Sequence, residues 1–331
     1  MSSVTLIDLE GFRRGSAADR SSAAVAIDDA CRDTGFLQVV GHGVDESIMS
    51  EMLEVTAEFF DQPLELKQQA VVPDLSANRG YSAVGSEALA YSLGNEPAAP
   101  DLFEAFNAGR AAVEGPYFDR YRSFYAENVW PDSPIEMPVV WGRYQRAVNE
   151  LADHLLRAFA LALEVPESYF VDRTRNAILT TRAINYQRHD GAPDPLPGQM
   201  RMGAHTDYGV LTVLNADDAP GLEVWYDGCW NPVSVPSGSL LINIGDMLAT
   251  WTNDRWVSTL HRVVPPPPGP GPARRRSVAQ FLEANPGCLI ECIPSCTSAE
   301  NPPRYAPIEA GAYLMAKLMG PRELRKSEVP D

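Results

Sequence analysis

The chain has 331 residues, of which 45% are hydrophobic, and its 44 acidic and 27 basic residues give a formal net charge of −17. This hydrophobic fraction is typical of a folded globular protein and excludes a disordered chain. The negative charge would repel nucleic acid and anionic lipid, so we expect neither as a partner. We find no hydrophobic run long enough to span a membrane and no signal-peptide pattern at the N-terminus, and we expect a cytoplasmic protein.

The first third of the chain combines short strand patterns with helices. VTLIDL, at 4–9, predicts a strand, 21–34 predicts a helix, and GFLQVVGHG, at 35–43, predicts an apolar strand that ends at glycines. A second helix is expected to begin after Asp45, because aspartate is favoured at helix N-termini, and to end before Pro63.

The remaining two thirds begin with a long helix and continue as short strands. Hydrophobic residues recur at helical spacing between Trp141 and Leu163. Beyond Asn176, short β-branched segments alternate with Gly, Pro, Asn and Asp, which is typical of a barrel or sandwich. We therefore expect a helical and mixed N-terminal region, 1–120, and a β-rich C-terminal region, 121–331, that together form one compact unit.

Five cysteines, an odd number, favour reduced thiols over a disulfide framework. Three of them, Cys288, Cys292 and Cys296, have a spacing that could suit a soft metal or an iron–sulfur cluster. A fourth ligand is missing, however, and CLIECIP predicts a strand that runs into Pro294. We interpret the three cysteines as structural.

The segment MRMGAHTDYGVLTVL, at 200–214, places a histidine and an aspartate two residues apart. Residues i and i+2 of a strand face the same side, so His205 and Asp207 would offer two ligands to one metal. His261, in STLHRVV, is a third candidate ligand. Two imidazoles and one carboxylate are the ligands of non-haem iron(II) oxygenases, although the same set with a water would also suit a zinc hydrolase.

The segment ARRRSVAQF, at 273–281, predicts a binding site for a carboxylate. On a strand, Arg275, Ser277 and Phe281 share one face, whereas Arg274 and Arg276 take the other. A guanidinium group can bind a carboxylate through two parallel hydrogen bonds, and a serine hydroxyl can add a third. We therefore predict that Arg275 and Ser277 hold the distal carboxylate of a 2-oxo diacid that chelates the iron.

These motifs resemble the isopenicillin N synthase-like branch of the iron(II)/2-oxoglutarate-dependent oxygenases. The resemblance is carried by ACRDTGFLQVVGHGVDESI, EFFDQPLELKQ, APDLFEAFNAG, GAHTDYGVLTVL, GLEVWYDGCW, LLINIGDMLATWTNDRWVSTLHRVV and RRSVAQF, in the order and spacing of that family. It implies a mostly β fold with supporting helices, built on a double-stranded β-helix (a cupin-like jelly roll). It also implies iron(II) ligands at His205, Asp207 and His261, a 2-oxoglutarate clamp at Arg275 and Ser277, and O2 as a further cosubstrate.

One departure from the family concerns the strand before the metal motif. Many members have Asn-Tyr-Tyr-Pro there, and the second tyrosine helps to hold the cosubstrate. This chain reads INYQRH. The resemblance therefore implies that Asn185 stays at the cosubstrate, and that Gln187 replaces the tyrosine.

The substrate pocket is predicted around Tyr208, Phe281, Arg182 and Tyr81. Tyr208 follows the aspartate ligand, and Phe281 shares the face of the clamp. ANRGYSAVG and TTRAINY resemble fungal thymine-hydroxylating members, in which the matching arginine contacts the base. A strand that turns Asn185 inward would turn Arg182 outward unless a bulge intervenes, so the role of Arg182 stays open.

The resemblance implies an enzyme of secondary metabolism that hydroxylates, desaturates or cyclises a small molecule and releases succinate and CO2. Within the fold, a 2-oxoglutarate-independent oxidase of the isopenicillin N synthase type is the nearest alternative. A zinc hydrolase would fit the three ligands, and a catalytically silent cupin-like binding protein would fit the fold. The sequence gives no indication of the oligomeric state.

Overall fold

The computed structural model describes residues 4–74, 77–89, 99–110, 116–187, 196–266 and 274–326. The helices are α1 (Glu10–Arg14), α2 (Ala17–Asp33), α3 (Glu46–Phe60), α4 (Leu64–Gln68), α5 (Pro116–Arg120), α6 (Met137–Ala162), α7 (Ser168–Thr174), α8 (Asp246–Trp251) and α9 (Ala310–Lys326). The strands are β1 (Thr5–Asp8), β2 (Phe36–Val40), β3 (Gly80–Ser82), β4 (Glu104–Gly109), β5 (Leu179–Gln187), β6 (Met202–His205), β7 (Leu211–Ala216), β8 (Leu222–Tyr226), β9 (Cys229–Pro232), β10 (Leu240–Ile244), β11 (His261–Val263), β12 (Arg274–Leu282), β13 (Leu289–Ile290) and β14 (Ile308–Glu309). Among these helices we find none that combines the length and the hydropathy needed to cross a membrane.

The long helices form where the sequence predicts them, and polar side chains fix their first turns. Ser16 begins α2 with a capping box: its hydroxyl accepts from the Asp19 amide at 3.3 Å, and the Asp19 carboxylate accepts from the Ser16 amide at 2.8 Å. Asp45 begins α3 by accepting from the Ser47 amide at 2.8 Å. The longest helix, α6, begins earlier than predicted, with Pro138 in its first turn, where a missing N–H is tolerated.

Two antiparallel sheets make up the centre of the molecule. The larger has the order β1-β2-β10-β7-β12-β5-β4-β3, and the smaller has the order β6-β11-β8-β9. Only the edge pair β1 and β2 is parallel among these neighbours. The four strands from the N-terminal part of the chain lie at the two edges of the larger sheet, so both parts of the chain build that sheet.

The larger sheet is buried on both of its faces. Its interior face packs on the smaller sheet, in a core that includes Ile184 and Leu241 from the larger sheet with Val224 and Val263 from the smaller. Its helix-facing face packs on α2, α3 and α6 in a second, larger core. Two facing antiparallel sheets with helices on the outside form a jelly roll, so the predicted fold class is confirmed.

The segment CLIECIP forms less strand than the sequence predicts. Only β13 is extended, in a two-residue pair with β14. All five cysteines are free, and the Cys292 thiol donates to Asn253 Oδ1 at 3.4 Å. Within the described ranges, no close group of metal-binding side chains includes Cys288, Cys292 or Cys296.

Candidate metal centre

The three predicted metal ligands lie together between the two sheets. His205 ends β6 and His261 begins β11, and these two residues are register partners across the neighbouring strands. Their Nε2 atoms each lie 3.8 Å from Asp207 Oδ1, and the candidate ligand atoms of the three residues are all within 4.8 Å of one another. This is the only such group among the described residues.

Backbone carbonyl groups hold both imidazoles in the form that a metal needs. His205 Nδ1 lies 2.8 Å from the carbonyl oxygen of Gly203, and His261 Nδ1 lies 3.2 Å from that of Thr259. A carbonyl oxygen can only accept, so a neutral imidazole must carry its proton on Nδ1 in this position. The lone pair of each Nε2 is thereby left for a metal ion.

Asp207 is oriented through its other carboxylate oxygen. Asp207 Oδ2 accepts from the Thr212 hydroxyl at 2.5 Å and from Asn243 Nδ2 at 2.7 Å. Thr212 on β7 and Asn243 on β10 are register partners, so neighbouring strands fix both donors. Their hydrogen bonds leave Asp207 Oδ1 as the oxygen nearest to the two imidazoles, which is the arrangement expected around a ligating carboxylate.

The electrostatics of the site favour metal binding at neutral pH. Burial, followed by the charge of His261, lowers the pKa of His205 to about 4, so its imidazole is neutral. Burial opposes ionisation of Asp207, but the two imidazoles and the hydrogen bonds from Asn243 and Thr212 outweigh it and lower the pKa of this carboxyl. Two imidazoles and one carboxylate on one side of a buried site fit iron(II) with open coordination positions.

The sequence-based reason for this grouping is incorrect in one detail. β6 ends at His205, and Asp207 lies beyond the strand, so strand alternation does not place it. Instead, the Asp207 carbonyl accepts from the Asp246 amide at 2.8 Å, and the Tyr208 carbonyl accepts from the Met247 amide at 3.1 Å. The first turn of α8 therefore holds the backbone around Asp207 in place.

The predicted clamp lies on the interior face of β12. Arg275 is opposite Tyr186 and Ser277 is opposite Ile184, and directly opposite residues of antiparallel strands share a face. Arg275 and Ser277 are both buried. Arg275 Nη1 donates to the Ala219 carbonyl at 2.9 Å, whereas Arg275 Nε has no hydrogen-bond partner among the described residues. The guanidinium group thus keeps donor capacity for a ligand.

Tyr186 lies beside the predicted clamp, and its position changes the interpretation of INYQRH. Burial raises the pKa of Tyr186 to about 12, and the Arg275 charge and the Ser277 hydroxyl partly oppose this rise, so the phenol lies close to both. Gln187 is opposite Arg274 and lies on the other side of the strand. A tyrosine is therefore present next to Arg275 and Ser277, one residue earlier than the motif comparison places it.

Asn185 is not part of the clamp, which corrects its predicted role at the cosubstrate. It is opposite Arg276 on β12 and Glu104 on β4, so it lies on the helix-facing face. Its Nδ2 donates to Glu104 Oε1 at 2.8 Å, and its Oδ1 accepts from Arg274 Nε at 2.7 Å. Both ends of the amide are committed to protein groups behind the sheet.

Because Asn185 faces the helices, Arg182 faces the interior. It is opposite Ala279 on β12, and its charge lowers the pKa of His205, so it lies near the metal ligands. Arg182 Nη2 donates to Glu87 Oε1 at 2.7 Å, and its Nε has no hydrogen-bond partner among the described residues. The structure thus shows that the Arg182 side chain faces the interior, which strand alternation alone leaves open.

The other predicted pocket residues divide between the two faces. Phe281 is opposite Thr212, one of the donors to Asp207, and shares the interior face with Arg275. Tyr208 is half-buried next to Asp207, with Lys317 Nζ 5.6 Å from its ring centroid. Tyr81 is buried on the helix-facing face, where its hydroxyl donates to Glu104 Oε2 at 2.7 Å, so its predicted place in the pocket is wrong.

Sequence reasoning misses several residues that support the site. Thr212 and Asn243 orient the metal-binding carboxylate, and Arg201 is buried close enough to Arg275 for that charge to lower its pKa. Asn243 could have been found, because it is the polar residue within the apolar segment LLINIG. Thr212 and Arg201 carry no comparable signal, because their roles depend on which strands become neighbours.

Comparisons with known proteins identify the family of the chain. A family model described as the N-terminal region of a non-haem dioxygenase in morphine synthesis matches residues 4–133, and the 2OG-Fe(II) oxygenase superfamily model matches 179–284. A homoarginine-6-hydroxylase of Oryza sativa subsp. japonica is 33% identical over 88% of this chain and 87% of its own. Validamycin A dioxygenase of Streptomyces hygroscopicus subsp. limoneus is 31% identical over 98% of this chain and 86% of its own.

Comparison with solved structures points to the same oxygenase family. A full-length Neurospora crassa protein, solved in complex with alpha-KG, superposes with a TM-score of 0.83 at 29% identity and covers 95% of each chain. The curated relatives are named as oxygenases, which decides against a zinc hydrolase and against a silent binding protein. The chain belongs to the isopenicillin N synthase-like family of 2-oxoglutarate–iron(II) oxygenases, and it is a non-haem dioxygenase that uses iron(II), 2-oxoglutarate and O2.

Proposed function

We propose that the enzyme hydroxylates a small polar molecule between its two sheets and converts 2-oxoglutarate to succinate and CO2. His205, Asp207 and His261 hold the iron, and Arg275 with Ser277 and Tyr186 binds the distal carboxylate of 2-oxoglutarate. The observation that supports this best is that the metal ligands and the clamp residues face the same interior space between the two sheets. Arg182 connects them, because its charge acts both on His205 and on Tyr186, whose hydroxyl lies by the clamp.

The clamp is suited to a carboxylate. Arg275 is 3% exposed, and Asp217 Oδ1, its acidic neighbour, is 3.7 Å from Nη1, beyond hydrogen-bond distance. A buried guanidinium with an unpartnered Nε gains charge-assisted hydrogen bonds from a bound carboxylate. Ser277 and Tyr186 add hydroxyl groups on the same face, and these can donate to the same ligand.

Iron(II) held by His205, Asp207 and His261 would, together with 2-oxoglutarate and O2, supply the oxidising chemistry for a substrate C–H bond, with one oxygen atom of O2 going to the substrate and the other to succinate. The chain holds the reacting groups in position. Thr212 and Asn243 fix the Asp207 carboxylate, and Phe281 and Tyr208 flank the space in which the substrate would lie. Correct placement of the C–H bond matters, because an error of about 1 Å can lower the rate roughly a hundredfold.

The relatives suggest the chemical class of the substrate. Relatives of 30% identity or more are named for homoarginine and validamycin A, and the Neurospora crassa protein has also been solved with thymine. We propose a small, nitrogen-containing polar substrate for this chain as well. Arg182 supports this, because its partly unpartnered guanidinium faces the interior near His205 and can donate to an acceptor atom of the substrate.

Release of labelled CO2 from carboxyl-labelled 2-oxoglutarate tests the proposal without knowledge of the substrate. We expect slow, iron(II)-dependent release by the wild-type enzyme, and none above background from His261→Ala. His154→Ala is the matched control, because His154 lies on α6, away from the metal ligands. Absence of release from wild type, or release that survives His261→Ala, would contradict the proposal.

A further inference from the structure

Glu283 is a buried acidic residue next to the metal centre to which neither the clamp nor the metal site assigns a role. It is 7% exposed, and its Oε2 is buried with no hydrogen-bond partner among the described residues. Such a group is costly to bury, so an unpartnered carboxyl in a native core calls for an explanation. The described residues provide no structural partner that would explain it.

The backbone directs Glu283 towards the interior. Its amide donates to the Ile178 carbonyl at 3.0 Å, which continues the β5 and β12 pairing by one residue beyond Leu282. Alternation along β12 then places Glu283 on the same face as Phe281, Ser277 and Arg275. Glu283 therefore lies at the end of the interior face opposite to the clamp.

Glu283 also lies against the loop that carries Asp207. A Cβ atom added to Gly209 would be 2.5 Å from Glu283 Oε2, so the carboxyl packs directly against this residue, two positions after Asp207. Burial, and then the negative charges of Asp207 and Asp246, raise the pKa of Glu283 to about 8, so this carboxyl is neutral at pH 7 in the free enzyme, and a cation bound beside it would favour its ionised form. Glu283 is thus close enough to the metal-binding aspartate to respond to its charge.

Three carboxyl groups meet here, and they differ in their partners. Asp207 has the metal site, and Asp246 Oδ2 accepts from Lys317 Nζ at 2.8 Å. For Glu283, the structure records no salt bridge and no positively charged group that lowers its pKa, among the described residues. Of the three, Glu283 alone lacks a positive partner within the described part of the chain.

Aromatic rings around this end are also suited to a cation. Lys317 Nζ lies 5.6 Å from the ring centroid of Tyr208 and 5.7 Å from that of Tyr313. Burial, and then the charges of Asp246 and Glu283, raise the pKa of Tyr313, so this phenol lies near both carboxyls. Acidic groups together with aromatic faces are the surroundings in which proteins bind ammonium and guanidinium groups.

We propose that Glu283 binds a positively charged nitrogen group, an ammonium or guanidinium, of the substrate that is oxidised at the metal centre. This inference rests on the proposed function and names the substrate class for the same site. Arg182 is opposite Ala279, four residues before Glu283 along β12. A substrate with its cation at Glu283 and an acceptor at Arg182 would span about 13 Å of strand.

The test compares two fragments of nearly the same shape that differ in charge. Methylguanidinium and methylurea are each titrated by calorimetry into the anaerobic enzyme with iron(II) and 2-oxoglutarate. We expect wild type to bind methylguanidinium about tenfold more tightly than methylurea, because a hydrogen bond between charged groups is the stronger one. Glu283→Gln keeps the shape but cannot ionise beside a bound cation, and should abolish this preference while methylurea binding stays unchanged.

The control variant is Glu58→Gln, the same change at an exposed position of α3, which should bind both fragments like wild type. Equal binding of the two fragments by wild type, binding of neither, or an unchanged preference in Glu283→Gln would overturn the inference. The 2-oxoglutarate affinity is measured in the same samples and should be retained in Glu283→Gln. Failure of wild type to bind 2-oxoglutarate would instead contradict the proposed function, whatever the fragments do.

Discussion

The two faces of the larger sheet both carry buried charged residues, but they use them in opposite ways. On the helix-facing face, Glu104 accepts from Lys67 Nζ and from the Tyr81 hydroxyl, each at 2.7 Å, and from Asn185 Nδ2 at 2.8 Å. On the interior face, Arg275 Nε and Glu283 Oε2 have no hydrogen-bond partner among the described residues. The larger sheet thus presents a hydrogen-bonded network around Glu104 on one side, and an open donor at Arg275 with an open acceptor at Glu283 on the other.

This difference distinguishes the buried polar residues that stabilise the fold from those that are available to bind a ligand. A buried polar group with all its partners stabilises and specifies the fold, whereas one without partners is costly unless a ligand supplies them. Residue type alone does not distinguish the two cases, since Arg274 and Arg275 are neighbours in the chain. Substitutions on the helix-facing face should therefore change stability, and substitutions on the interior face should change ligand binding.

The largest effect is expected from the metal ligands. His205→Ala, Asp207→Ala and His261→Ala should each lose bound iron and reduce turnover to background, because two ligands leave an incomplete site. Iron content after dialysis and labelled CO2 release measure the two effects. His154→Ala serves again as the control. Full iron content and turnover in any one of the three variants would remove that residue from the site.

A large effect of a different kind is expected from Glu104→Gln. Removing the charge leaves Lys67 buried without its ion-pair partner, which should lower the free energy of unfolding by about 3–5 kcal/mol. Chemical denaturation measures this loss, and Glu58→Gln is the surface control. The KM for 2-oxoglutarate of the folded enzyme should not change. A variant as stable as wild type, or one with a raised KM, would break the division between the faces.

Two buried asparagines, one on each face of the larger sheet, allow the same comparison with smaller expected effects. Asn243→Ala removes a donor to Asp207 and should weaken iron binding roughly 10- to 100-fold. Asn215→Ala removes a bond of 3.0 Å to the Met49 carbonyl of α3 on the helix-facing face, and should lower stability without changing iron affinity. Metal titrations and denaturation of both variants measure the contrast. Equal loss of iron affinity in the two would contradict it.

The sequence shows which residues have distinctive chemistry, but it shows less well which face of the sheet each of them occupies. The grouping of His205, Asp207 and His261 can be predicted because these residue types and their spacing are unusual, and β12 alternates as expected, with Arg275 and Ser277 on one face. The orientation of β5 cannot be predicted. This strand is largely buried on both sides, so its sequence does not show which set of side chains faces the interior.

The errors at Asn185, Gln187 and Arg182 all follow from that one ambiguity. The sequence pattern places each residue on the wrong face or leaves it open, and the pairing of β5 with β12 decides all three together. Tyr81 is misplaced for a related reason, because it lies on the three-residue strand β3 at the sheet edge, and its position depends on contacts distant in sequence. Glu283 is not predicted as a binding residue, because nothing in the segment LEANPG indicates that this glutamate is buried.

The most direct test compares Arg275→Lys with Arg274→Lys, the same substitution at adjacent residues on opposite faces. Arg275→Lys keeps the charge but loses the paired hydrogen bonds, so we expect the KM for 2-oxoglutarate to rise roughly tenfold, about 1.5 kcal/mol, with little loss of stability. Arg274→Lys should leave that KM unchanged and lower stability, because it loses its bond to Asn185. An unchanged KM in Arg275→Lys, or an equal rise in both variants, would contradict the account.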